Sequence, residues 1–324
     1  MSRSFHSVGR PSRQSGLSLI ELMISIVLGL LIAGAAVSMF LSFSRTYTAS
    51  ESLSRIQENA RISFELMSRD MREAGSIPCS RYLPVVNVLN GADGSWWNTW
   101  GSGLVGYDNG TFPGSLAGTD AVQVISGASS TAFVSNHAPV SATFTVAPAS
   151  HGFVANDVLM VCDYRQASIF QMTGGSGNSV VHNNSGTPGN CSKGLGFKKP
   201  RDCSATGAAY TYPDNSVMVR LQATRWYVAA NGRGSNSLFR VALRGSTVGA
   251  AEEVVEGVSD MQLTFLLPGS SNYVVASSIP SARWRDVIAM RMDLGLSGID
   301  RVGTDNSVIT RRVVHTVTLR SRNA

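Results

Sequence analysis

Gly16–Phe43, GLSLIELMISIVLGLLIAGAAVSMFLSF, carries one charge, Glu21. Between Glu21 and Arg45 lie 23 uncharged residues. As helix they span about 35 Å, enough to cross a bilayer core of ~30 Å. The segment before this run contains Arg3, Arg10 and Arg13 and no acid. Positive charge on that side predicts a cytoplasmic N-terminus and export of everything after Phe43. Glu21 is the exception to explain. A carboxylate inside an apolar span costs roughly 2.5–3.5 kcal/mol on insertion scales, so it needs a partner or a task.

Two readings fit the run. In a plain signal anchor, Glu21 would snorkel to the headgroups. The order of features points elsewhere: a basic leader, then Gly16, then the apolar run at once. A secretory signal places its small-residue cleavage site after the apolar region. A cut after Gly16 would instead remove the leader and leave the membrane helix on the mature chain. GLSLIELM with these flanks resembles the class III signal of type IV prepilins and pseudopilins. The resemblance implies cleavage between Gly16 and Leu17 by a prepilin peptidase and N-methylation of Leu17. It also implies that Glu21 pairs with the free N-terminus of a neighbouring subunit during assembly. Leu17 departs from the phenylalanine usual at the first mature position.

The chain has 324 residues, 15% of them charged and 43% hydrophobic, which suits a Gly/Ser-rich exported domain with a real core and excludes a disordered chain. Formal charge is +6, of which the three leader arginines supply half. The remaining excess makes no case for nucleic acid. All four cysteines, Cys79, Cys162, Cys191 and Cys203, come after the apolar run. An even count on the oxidising side predicts two disulfides, with three possible pairings. Cys191–Cys203 is the first choice because it closes a short loop, leaving Cys79–Cys162. No close CxxC pair exists, so no metal is expected.

Past the apolar run, Leu53, Ile56, Ala60, Phe64, Met67 and Met71 recur at helical steps. Gly75 and Pro78 then supply a stop. A continuous helix from Leu17 to about Ala74 is predicted. From Asp120 the period becomes two. AVQVIS, ATFTVA, DVLMVCD, SIFQMTG, VMVRLQATRWYVAA, SLFRVALRG and the run from Ile288 to Leu294 read as strands, with NGRGSN as a hairpin turn. The stretches from Gly75 to Thr119 and from GGSGNS to Gly207 read as loops. The class is α+β: a pilin-like lollipop, with one long helix on an antiparallel β-sheet head bearing disulfide-linked loops.

GADGSWWNTWGSG places Trp96, Trp97 and Trp100 among glycines. They either pack on one another in an Ω-like loop or face outward as partner contacts. GGSG lacks the Lys-Ser/Thr ending of a P-loop, and the five histidines (His6, His137, His151, His182 and His315) are scattered. No GxSxG, HExxH or carboxylate pair appears, so neither catalysis nor a cofactor is expected.

ARISFELMSRDMREAG with Cys79 soon after it, VCDYRQASIFQMT around Cys162, and WRDVIAMRMDLGLSG with RRVVHTVTLRSR resemble the PilW group of type IV pilus assembly proteins. The likeness implies a minor pilin that primes pilus assembly, sits at the tip and supports twitching motility. Its implied partners are prepilin peptidase, other minor pilins, the major pilin and a pilus tip protein, with no nucleic acid. The implied organisation is a leader over 1–16, a transmembrane and assembly helix over 17–44, its amphipathic continuation over 45–75 and a periplasmic head over 76–324. The implied location is the inner membrane, then the pilus tip. The competing readings are a minor pseudopilin of a type II secretion system, a membrane-tethered periplasmic enzyme and a DNA-uptake pilin. The last would rely on Arg283/Arg285 and Arg311/Arg312.

Overall fold

The computed structural model describes residues 16, 18–80, 82–92, 94–101, 103–303, 305 and 307–322, without the side chains of 128–130. Leu17 and residues 1–15 of the leader lie outside the described residues.

Helix α1 runs unbroken over Leu19–Arg72, 54 residues and about 80 Å. Gly29 and Gly34 do not interrupt it. Its N-terminal half has no neighbours, and its C-terminal half buries Ser52, Ile56, Ala60, Ser63, Phe64, Met67, Ser68 and Met71. The buried stripe differs from the expected one at its start, where Ser52 takes the inward place and Leu53 is half-buried. The cause is Gly298, whose backbone crosses so close that a Cβ there would collide with Ser52 Oγ. Only a small side chain fits beneath it. Past the C-cap Glu73 the chain turns away at Gly75, which is left-handed (φ 68°) and donates to Ile125 O at 2.9 Å.

The head contains two sheets. The larger comprises β1 (Val85–Asn87), β2 (Leu104–Tyr107), β3 (Ala121–Ala138), β4 (Thr143–Ala147), β5 (Val158–Cys162), β6 (Ala167–Gln171), β7 (Ser179–Val181), β8 (Val217–Ala230), β9 (Asn236–Arg244), β10 (Thr247–Val248) and β11 (Glu252–Glu256). Its central path is β1-β6-β5-β8-β3-β4-β7, with β2 on β3 and β9 on β8. The smaller sheet is β12 (Val258–Leu266), β13 (Ala289–Ser297) and β14 (Thr310–Thr318). The pairing is antiparallel apart from β1 with β6, which is parallel. The short strands β1, β2 and β7 fall in the two stretches expected to be loop. At three or four residues each, they are too short to show a period.

Strands β3 and β8 run the length of the large sheet and divide it. Near the helix, Val122, Val124, Trp226 and Val228 join Met67, Met71, Met290, Met292 and Leu294 in one core. At the far end, Val134, Phe144, Phe170, Tyr212 and Met218 form a second. A third, with Ile77, Trp97, Ile125 and Met160, lies beside them. Between Gly127 and Thr131 the β3–β8 register shifts twice, so each half of β3 serves a different core.

Both disulfides are closed: Cys79–Cys162, S–S 2.07 Å, ties the segment after α1 to β5, and Cys191–Cys203, S–S 2.19 Å, closes a loop beside it.

Candidate assembly site and its attachment to the head

The first helical turn is organised by two side chains. Ser18 is the N-cap: its Oγ accepts from Ile20 N–H at 3.3 Å. Glu21 is three residues further on and reaches back to accept Ser18 N–H at 3.2 Å. This reciprocal capping box satisfies two of the amide donors that a helix start leaves open. It uses one acceptor position of a carboxylate that has about four. Glu21 is exposed, as is every described side chain from Leu19 to Phe43. The most apolar 18-residue window of α1 has a mean hydropathy of 2.5 and no buried share, so α1 is long and apolar enough to cross a membrane. The site is thus a carboxylate with acceptor positions to spare, at the tip of an exposed apolar rod.

Polar bonds fix that rod to the head at its other end. Trp226 Nε1 on β8 donates to Asp70 Oδ2 at 2.9 Å, and Arg240 Nη2 on β9 lies 3.4 Å from the same oxygen. Burial raises the Asp70 carboxyl above its ordinary range, against the pull of Arg240 and Trp226. Further along, Asn59 Nδ2 donates to Glu256 O at 2.9 Å, and the Phe64 ring lies 5.2 Å from that of His315. His315, on strand β14, therefore has a local packing partner. The arrangement makes the helix and the near half of the head one mechanical piece.

The tryptophan loop needs correction. Trp97 is only 8% exposed and belongs to the core with Ile77 and Ile125; it does not face outward. Trp96 is half-buried, with the Arg225 guanidinium 4.3 Å from its ring centroid. Arg225 is held in turn by Gln123 Oε1 at 3.0 Å. Trp100 is half-buried at a cleft wall. Replacing Trp97 by Ala should cost about 3–5 kcal/mol, as for a large aromatic removed from a core. Trp100→Ala should cost less than half as much, measured by denaturant unfolding of both variants. Equal costs would place the two in the same environment. The arginine clusters also separate: Arg283 and Arg285 sit in a short 3₁₀ turn over Ser281–Asp286, and Arg311 and Arg312 on strand β14. Arg312 is paired with Asp260 at 3.0 Å and Asp293 at 2.9 Å.

Sequence reasoning missed one constellation. His137 and His182, read as scattered, meet at the far core with Nε2 atoms 3.2 Å apart. No local signal links positions 45 apart in sequence. Among the described residues, no group of three or more His, Cys, Asp or Glu could hold a metal.

The N-terminal region matches the prokaryotic N-terminal methylation motif over residues 11–37. The type IV pilus-assembly protein W family matches residues 225–320. That second match begins in β8, one residue before Trp226, and runs through β14. It therefore covers the sheet on which α1 packs, while the far half of the head lies outside both matches. No curated protein and no solved structure shows a significant match. Methylation motif, long apolar helix and the matched helix-bearing sheet together support a PilW-like minor pilin of the type IV pilus.

Proposed function

We propose that the chain is made as a prepilin, cut between Gly16 and Leu17 by a prepilin peptidase and methylated on the Leu17 nitrogen. The observation that carries this reading is a single carboxylate, Glu21, in the first turn of the exposed apolar half of α1. Cleavage would free an ammonium on Leu17. In a bilayer an unpaired Glu21 is expensive, and the ammonium of a neighbouring subunit relieves that cost. The acceptor positions left open by the capping box can take that pairing. Staggered helices would then bundle through their apolar faces.

The same reading places the leader at 1–16, the membrane and assembly helix at 17–44, its packed continuation at 45–75 and the head at 76–324. The N-terminus would face the cytoplasm and the head the periplasm. With other minor pilins, the chain would prime assembly in the inner membrane, then ride at the tip beside a tip protein, supporting twitching. The role is contact, with no chemistry of its own. The W-family match favours this over a secretion pseudopilin.

The test is Glu21→Ala in cells carrying the pilus machinery. Mass spectrometry should find N-methyl-Leu17 as the first residue of wild type and of variant. The variant should be lost from sheared pili while the folded protein persists in membranes. An intact leader on the wild type in peptidase-positive cells, or normal incorporation of Glu21→Ala, would sink the reading.

A further inference from the structure

A cleft of about 820 Å³ opens between the end of α1, the segment entering β1 and the loop closed by Cys191–Cys203. Among the described residues, five lysines and arginines line it and no carboxylate does. Four of the five are engaged within the chain, Arg285 the most loosely, with its Nε 3.9 Å from Asp286 Oδ1. Lys198 pairs with Asp202 at 2.9 Å. Arg201 donates to Asn87 O at 2.8 Å. The buried Arg322 donates to Trp284 O at 2.5 Å. The outward charge comes chiefly from Lys199, whose ammonium lies 5.7 Å from the Phe197 ring centroid, and from Arg285, whose side chain is 74% exposed despite its long contact to Asp286. Between them lie aromatic surfaces. Tyr82 is 69% exposed and Phe197 38%, and Trp100 forms part of the same wall.

The floor of the cleft is a sheet edge. β1 ends the path of the large sheet and, among the described residues, pairs only with β6. The register sets Val85 beside Ala167 and Asn87 beside Ile169. The ladder bonds run from Ala167 N–H to Pro84 O (3.0 Å) and from Val88 N–H to Ile169 O (2.9 Å). A parallel ladder uses alternate residues of a strand, so the peptide groups of Val85 and Asn87 point away from β6, toward the cleft. Arg201 already satisfies one of them, the Asn87 carbonyl. An edge of this kind is a template for another strand.

We infer that this cleft receives an extended acidic segment of a partner protein, added as a strand beside β1. Its carboxylates meet Lys199 and Arg285, and its apolar side chains lie on Tyr82, Phe197 and Trp100. Main-chain bonds supply affinity in such additions, and the side-chain sites supply selectivity. Cations without lining acids select negative charge. The outward amide and carbonyl of Val85 select a peptide backbone over a nucleic acid, which offers no matching ladder. The site is remote from Glu21, so its failure would leave the pilin reading untouched.

The test uses the full chain in detergent micelles and a fluorescein-labelled ten-residue peptide alternating Glu and Val, read by anisotropy. Binding should saturate and weaken with added salt. Lys199→Glu with Arg285→Glu should weaken it at least about tenfold, as should N-methylation of alternate amides of the probe, which blocks the ladder without touching the protein. A Lys–Val peptide and a thymidine oligonucleotide of equal length should each bind at least about tenfold more weakly. Undiminished binding of the N-methylated probe would overturn the proposal. So would undiminished binding to the doubly substituted, folded protein, or tighter binding of the oligonucleotide.

Discussion

Replacing Cys79 and Cys162 together by Ala should lower the stability of the head by about 4–5 kcal/mol, the larger of the two disulfide effects. The bond joins residues 83 apart, and chain-entropy reasoning assigns more stabilisation to a longer closed loop. Cys191–Cys203, with a separation of 12, should contribute about 3 kcal/mol on the same basis. Position adds to length. Cys79 lies seven residues past the last residue of α1, while Cys162 ends β5 and is fully buried in the same core as Trp97. The bond therefore holds the exit of the helix against the middle of the large sheet, where the second and third cores meet. Denaturant unfolding of the full chain in detergent, monitored by tryptophan fluorescence, measures both losses. The long-loop variant should have the lower midpoint. A short-loop variant that loses as much or more would show that local distortion outweighs unfolded-chain entropy here.

The helix and the near half of the head could be read from sequence because their signals are periodic and local. VMVRLQATRWYVAA coincides with β8, Val217–Ala230, and the alternation of Met290, Met292 and Leu294 with Arg291 and Asp293 marks β13. Long strands with one buried face announce themselves. The far half was legible only in part: ATFTVA, DVLMVCD and SIFQMTG coincide with β4, β5 and β6. β3 continues to Ala138, but its alternation fails where the register shifts between Gly127 and Thr131. The second half of that strand therefore gives no strand signal of its own. Trp97 sits in a Gly-rich segment whose composition says surface, yet the segment folds back onto Ile125 and Ile77. Tertiary packing overrode composition there. At the assembly site, Glu21 stood out as a charge in an apolar run. Its capping bond to Ser18 was also encoded, as Ser with Glu three residues later.

The second large effect is on acid stability. Tyr212 N–H donates to His137 Nδ1 at 3.1 Å, so that nitrogen carries no proton and His137 is the Nε2–H tautomer. Its Nε2–H then donates to His182 Nε2, which leaves the proton of His182 on Nδ1, a buried atom without a partner. Both rings are packed against Phe144. Neither can charge cheaply: burial pushes His137 down to about 4, and burial, then the neighbouring His137, pushes His182 down to about 3. In the unfolded chain both titrate near the ordinary value of about 6.5. Below that pH the unfolded state binds protons that the folded state refuses, so stability is complete above about 6.5 and falls as pH drops toward the folded values. Each histidine should cost about 1.4 kcal/mol per pH unit in that window, or roughly 4 kcal/mol for the pair between about pH 7.5 and 5. Asp70 and Asp120, raised by burial, work in the opposite sense at the acid end, because the folded state takes up their protons first. Unfolding curves of the full chain at several pH values should show this loss. His182→Leu should lower stability at neutral pH yet roughly halve the slope between about pH 6.5 and 5. An unchanged slope in that variant would mean that the acid sensitivity arises elsewhere in the head.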